Sequence, residues 1–114
     1  MSLNELMSQI SNFVSERDWE QFHTPKNIAM SVAIEAGELL ECLQWDSPSK
    51  SDILEDKKRL TAIADEIADV QIYLLRMCSM LEIDPVKNSM RKLELNKEKY
   101  PPEEFSGTSR KYNS

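Results

Sequence analysis

An all-α fold, a bundle of four helices in one domain spanning residues 1–114, is predicted by three features of this sequence. Apolar residues recur at three- and four-residue spacing along most of the chain. Two cap-plus-proline pairs, Thr24-Pro25 and Asp84-Pro85, mark helix starts. Only two glycines occur in 114 residues, which argues against a turn-rich β sandwich or barrel. A chain of this length can form a core but leaves much of its surface exposed, so oligomerisation is expected to complete it.

Each element has its own justification. Leu3, Leu6, Met7, Ile10, Phe13 and Val14 form the apolar stripe of a first helix from about Ser2 to Asp18. Trp19 to His23 breaks that stripe. The second helix opens at Thr24-Pro25, carries Ile28, Val32, Ala36, Leu39, Leu40 and Leu43 on one side, and ends near Trp45. Ser47, Pro48, Ser49 and Ser51 make a linker, with room for a short helical turn. A long third helix is predicted from Ser51 or Asp52 to Leu81, striped by Leu60, Ile63, Ile67, Val70, Leu74, Met77 and Leu81. Asp84-Pro85 opens the fourth, which stops before Pro101-Pro102 because proline disfavours helix in the residue before it. Residues 103–114 show no periodicity and read as a tail that could order over a ligand.

Bulk composition excludes several classes. Hydrophobic residues at 40% and charged residues at 30% describe an ordinary globular chain. The net charge of −6 argues against a general nucleic-acid binder, which needs basic surface to displace counterions. No run approaches the roughly 18 apolar residues that cross a bilayer, so no membrane association is expected. The start MSLNELMSQI has no basic region and no long apolar run, so no signal peptide is expected and the cytoplasm is the default location. Cys42 and Cys78 fall within helical patterns and read as small core or interface residues, without a disulfide framework.

The acids carry the chemistry. Glu35 and Glu38, three residues apart, line the border of the second helix's apolar face, close enough to share a cation. Glu41 lies near the back of that helix, facing solvent or a neighbouring subunit. On the third helix Glu66 projects within an apolar sector with Ile63, Val70, Tyr73 and Met77, and Asp69 follows at its border. An ionised carboxylate in such surroundings must be paired or bound to metal. No lysine or arginine lies within one turn of Glu66 on its helix, nor of Glu35 and Glu38 on theirs, Arg76 being further along. Four acids without local counter-charge point to a hard divalent cation, and oxygen ligands favour magnesium, with manganese as a substitute. A solvated acidic face is the competing account of the same spacing.

The pattern Glu35-x-x-Glu38 followed by Glu66-x-x-Asp69 resembles the signature of the MazG-like all-α nucleoside triphosphate pyrophosphohydrolases. The likeness extends to RDWEQFHTPKN (Arg17 to Asn27), EAGELLECLQW (Glu35 to Trp45), DEIADVQIYLL (Asp65 to Leu75) and KLELNKEKYP (Lys92 to Pro101), which are similar to the branch acting on dCTP. Ser109 to Tyr112 in the tail resembles a segment of that branch too. The resemblance implies that Glu35, Glu38, Glu66 and Asp69 bind magnesium, which holds the triphosphate while water attacks the α-phosphorus and pyrophosphate leaves. It implies a homo-oligomer with sites between subunits, a tetramer built as a dimer of dimers, and a role in clearing unwanted deoxynucleotides.

Roles for other residues follow from the same resemblance. Lys92, Asn96 and Tyr100 share a face late in the fourth helix and are assigned to substrate phosphates or sugar; the plainer account is that such lysines complement the helix dipole. Trp19 and Trp45 could stack on the base, and Tyr73, one turn beyond Asp69, could meet sugar or base. His23, the one histidine, could touch the nucleotide or simply be structural. Glu35 or Glu38 could orient the attacking water, and the sequence does not choose between them. A di-iron centre is disfavoured, since that class wants Glu-x-x-His pairs. A non-enzymatic helical interaction module and a relative acting on dUTP or phosphoribosyl-ATP stay open.

Overall fold

The computed structural model describes residues 1–108, and the tail segment Ser109 to Tyr112 singled out above lies outside them. The described residues are helical and contain no strand. Six α-helices run in order: α1 Leu3–Glu16, α2 Pro25–Glu41, α3 Lys50–Glu55, α4 Lys57–Met80, α5 Pro85–Lys99 and α6 Pro102–Phe105. None is long and apolar enough to cross a membrane.

Side-chain caps set the helix starts. Ser2 accepts from the Glu5 amide, Thr24 from that of Asn27 and Asp84 from that of Lys87, at 3.0–3.1 Å. Each satisfies one of the amide groups that the first turn of a helix leaves without a partner. The third helix is not one long element from Ser51 to Leu81. It breaks at Asp56, which leaves helical geometry with φ −99° and ψ 87° and accepts from the Arg59 amide at 3.1 Å. Asp56 is thus the N-cap of α4, while Ser49 and Asp52 form a capping box on α3. An aspartate that bonds the backbone locally competes with helix continuation, which explains the break. The second helix also ends earlier than Trp45, at Glu41, and continues as turns. The start of the tail is ordered further than expected: Pro102–Phe105 form a helical turn, with the Phe105 ring edge-on to Tyr100 at 5.0 Å.

Two compact units divide the chain, Met1–Glu82 and a second beginning at Ile83. In the first, α2 packs along α4, with α1 and α3 also against α4. Ile10, Val14, Ile28 and Leu75 form its buried apolar centre. Asp18 bends the chain after α1 with φ 54°, a left-handed conformation that aspartate tolerates better than most residues. The 3-10 turn Glu20–Phe22 follows, and the Asn27 side chain donates to the Phe22 carbonyl at 3.1 Å. This bend sets Trp19 and His23 beside α4. In the second unit α5 carries Lys92 and Asn96, and the Tyr100 amide closes the helix on the Asn96 carbonyl at 2.9 Å.

Candidate active site

The packing of α2 on α4 turns two sequence pairs into one cluster. Glu35 and Glu38 lie one helical turn apart on α2, and Glu66 faces them from α4. Each offers a carboxylate oxygen, and the three oxygens lie within 4.8 Å of one another. All three side chains are half-buried. One carboxylate oxygen of Glu35 and one of Glu66 are fully buried without a hydrogen-bond partner. Such groups are costly and call for a partner. Burial is the largest cause pushing the Glu35 carboxyl up to about 7, followed by the Glu38 carboxyl and the charges of Asp69 and Glu66. Burial, then Glu38 and Asp69, raise Glu66 as well. None of the ion pairs among the described residues involves these acids.

This donor set fits a hard divalent cation. Oxygens around a magnesium at about 2.1 Å lie about 3–4 Å apart, and the cluster needs only slight closure to reach that. Asp69 stands outside the tight trio and is exposed, but its charge acts on both Glu35 and Glu66.

Asp69 also lines a cavity of about 270 Å³ next to the cluster. Ile10, Val14 and Ile72 supply its aliphatic wall, and Phe13, Trp19 and Tyr73 its rings. The Phe13 and Trp19 rings meet edge-to-face at 5.6 Å, and the Arg17 guanidinium lies 3.9 Å from the centre of the Phe13 ring. His23 and Arg76 complete the lining. The Arg76 Nε donates to the His23 Nδ1 at 3.1 Å. Burial, then the Arg76 charge, lower the His23 pKa below 6.5, against an opposing pull from Glu20.

Trp19, His23, Asp69 and Tyr73, all named from sequence, therefore line one space. Trp45 does not: it is 88% exposed and absent from the cavity lining. Two arginines were missed. Arg76 sits three residues beyond Tyr73 and seven beyond Asp69, so its helical phase was the available signal. Arg59 donates from Nε and Nη2 to the Cys42 carbonyl at 3.1 and 2.8 Å and grips Asp46 with both terminal nitrogens. That fork fastens the end of α2 to α4, fixing the register in which Glu35 and Glu38 meet Glu66, and holds the Asp46 carboxyl below its usual range. No spacing rule links positions 17 residues apart.

A helical fold with carboxylates converging across two helices, beside an aromatic cavity, defines a class of metal-carboxylate helical proteins. Within that class the chain belongs to the MazG-like family, which matches residues 30–114. It is 33% identical over 113 residues to dCTP pyrophosphatase 1 of Rattus norvegicus, an alignment covering 97% of this chain and 66% of that protein. To dCTP pyrophosphatase 1 of Homo sapiens it is 31% identical over 112 residues, with the same coverage. The chain thus spans slightly less than two thirds of the length of these curated relatives. A crystal structure of a pyrophosphatase from Archaeoglobus fulgidus superimposes with a TM-score of 0.79 at 42% identity, covering 87% of this chain and 92% of that one.

Proposed function

We propose that this chain hydrolyses a nucleoside triphosphate, dCTP or a close pyrimidine deoxynucleotide, to the monophosphate and pyrophosphate. The observation that carries the reading is the pair of buried, partnerless carboxylate oxygens on Glu35 and Glu66, set next to an aromatic cavity. Family membership and the activities of the relatives named above support it. Glu35, Glu38, Glu66 and Asp69 would hold magnesium, or manganese in its place, and the bound cation supplies charge neutralisation at the phosphate oxygens.

The chain's own groups account for the rest of the chemistry. A carboxylate oxygen of Glu35 or Glu38 takes the proton of the attacking water. The water oxygen bonds to the α-phosphorus as the bond to the α–β bridging oxygen breaks, and pyrophosphate departs with that oxygen. Trp19 and Tyr73 flank base and sugar. Lys92, Asn96 and Tyr100 stand as phosphate and sugar ligands on the resemblance alone.

A homo-oligomer, a tetramer of paired dimers, belongs to the same proposal, as does a cytoplasmic location. Ile34 and Leu40 on α2 and Ile67 and Leu74 on α4 are large, apolar and about half exposed or more, the kind of surface that subunits cover. Trp45 would meet a nucleotide as part of a second copy.

The test is incubation of the purified protein with each common deoxy- and ribonucleoside triphosphate, with magnesium or with EDTA, and separation of the products by ion exchange. Monophosphate and pyrophosphate formed only with magnesium, and absent with Glu38→Gln, support the reading. Diphosphate with orthophosphate means the wrong bond breaks. A preference for dUTP moves the substrate, and inertness of the folded, metal-loaded protein favours an interaction module.

A further inference from the structure

The cavity holds a cation whose donors are only partly used. Arg76 spends its Nε on His23, and its Nη1 and Nη2 groups have no acceptor among the described residues. No carboxylate among the described residues pairs with it. Asp69, the acid in the same cavity, is seven residues back on α4, about 10 Å along the helix axis. Because Nδ1 of His23 accepts, its ring is neutral with the proton on Nε2. This hydrogen bond pins the guanidinium at one edge and leaves the opposite edge, a planar fork of N–H donors, open to an acceptor pair.

The position of that fork selects the ligand. With phosphates at the acid cluster and reaching the Asp69 end of the cavity, the remaining two helical turns match a deoxyribose and a six-membered base. Trp19 and Tyr73, in the same lining, offer stacking faces for such a ring. Cytosine presents O2 and N3 as adjacent acceptors. Uracil and thymine carry a hydrogen on N3 and oppose a donor fork there. Adenine sets an amino group beside N1; guanine carries a hydrogen on N1 and offers its acceptor pair, O6 and N7, only on the far edge of a longer two-ring base.

We infer that Arg76, held by His23, is the specificity-determining residue of the cavity and reads the O2/N3 edge of a cytosine base. The inference rests on the nucleotide reading above and adds the residue that tells cytosine from uracil. Lysine cannot replace it, because a single ammonium lacks the fork.

The experiment measures kcat/KM for dCTP and dUTP with the full-length wild type, Arg76→Lys and Arg76→Gln, after circular dichroism melts confirm folding. Binding of dCMP and dUMP in EDTA is followed in parallel by intrinsic tryptophan fluorescence and calorimetry. Wild type prefers the cytosine compound in both assays. Both variants lower the dCTP value by about tenfold to hundredfold, the usual worth of a bidentate base contact, mainly through KM, while dUTP changes less than about threefold. A wild type indifferent to the base, or an equal fall for both substrates, overturns Arg76 as reader while leaving the reaction intact. Cytosine-selective dCMP binding that Arg76→Gln abolishes supports the reader even where no triphosphate is cleaved, and then only the proposed reaction fails. Unfolding of both variants sends the test to His23→Leu, which removes the acceptor for Arg76 Nε and whose unchanged C-to-U ratio overturns the proposal.

Discussion

Two ends of the same face of α4 are built on opposite principles. Around Glu66, carboxylates converge with Glu35 and Glu38 and leave buried oxygens unpartnered. Two to three turns on, around Tyr73 and Arg76, aromatic rings contact one another and the polar groups are mutually hydrogen-bonded. The first region is complete only when something positive enters. The second is complete without a ligand except for a fork of donors. On the proposed function, the contrast separates a part that would act on phosphate from a part that would recognise what the phosphate carries.

The largest expected effect breaks the acid end. Glu66→Gln should lower kcat by at least about a hundredfold, since a metal ligand contributes several kcal/mol of transition-state stabilisation. The same variant should melt higher than wild type in EDTA and lose the Tm gain that magnesium gives wild type. A variant that still gains Tm with magnesium would place the cation elsewhere.

A pH series in EDTA sharpens the comparison, because the two ends titrate in opposite directions. Glu35 has a folded pKa of about 7 against an ordinary 4.5, so the unfolded chain releases its proton first. Its stabilising contribution is present below about 4.5 and is lost as pH rises toward about 7. His23 has a folded pKa below 6.5, so it favours the folded state above 6.5, and that contribution is lost as pH falls. Glu35→Gln should flatten the first slope to the part that Glu66 carries and keep the second in thermal melts. Magnesium-induced stabilisation should grow across the Glu35 window, as protons and cation compete for the same oxygens.

Trp19→Ala tests the cavity end: KM should rise about tenfold, the worth of one stacked ring, with kcat little changed. The smallest effect probes the frame beneath both regions. Arg59→Met should lower Tm by about 5 °C through loss of its bonds to Cys42 and Asp46, and Asp46→Asn by less, since Asp46 is the more exposed partner. A fall in kcat for Arg59→Met beyond the loss of folded protein would mark the clamp as a positioning device for Glu35 and Glu38.

What the sequence determined by itself is local. The apolar periodicity of α1, the caps at Thr24 and Asp84, and the pairing of Glu35 with Glu38 and Glu66 with Asp69 all act within one or two helical turns. Such features are legible because a helix repeats every 3.6 residues wherever it later docks. Even the break at Asp56 had a local signal, an aspartate in capping position just before the apolar stripe begins at Leu60.

Tertiary structure alone decided which side chains meet. It brought Glu66 to within reach of Glu35 and Glu38 while leaving Asp69 exposed, and it set Trp19 on the cavity but left Trp45 in solvent. It joined Arg76 to His23 across 53 positions, and Arg59 to Cys42 across 17. The physical reason is that helical periodicity specifies the face a residue occupies, not the height or partner against which that face packs. Those are set by ridges fitting into grooves between helices, and with them the burial that raises Glu35 and lowers His23.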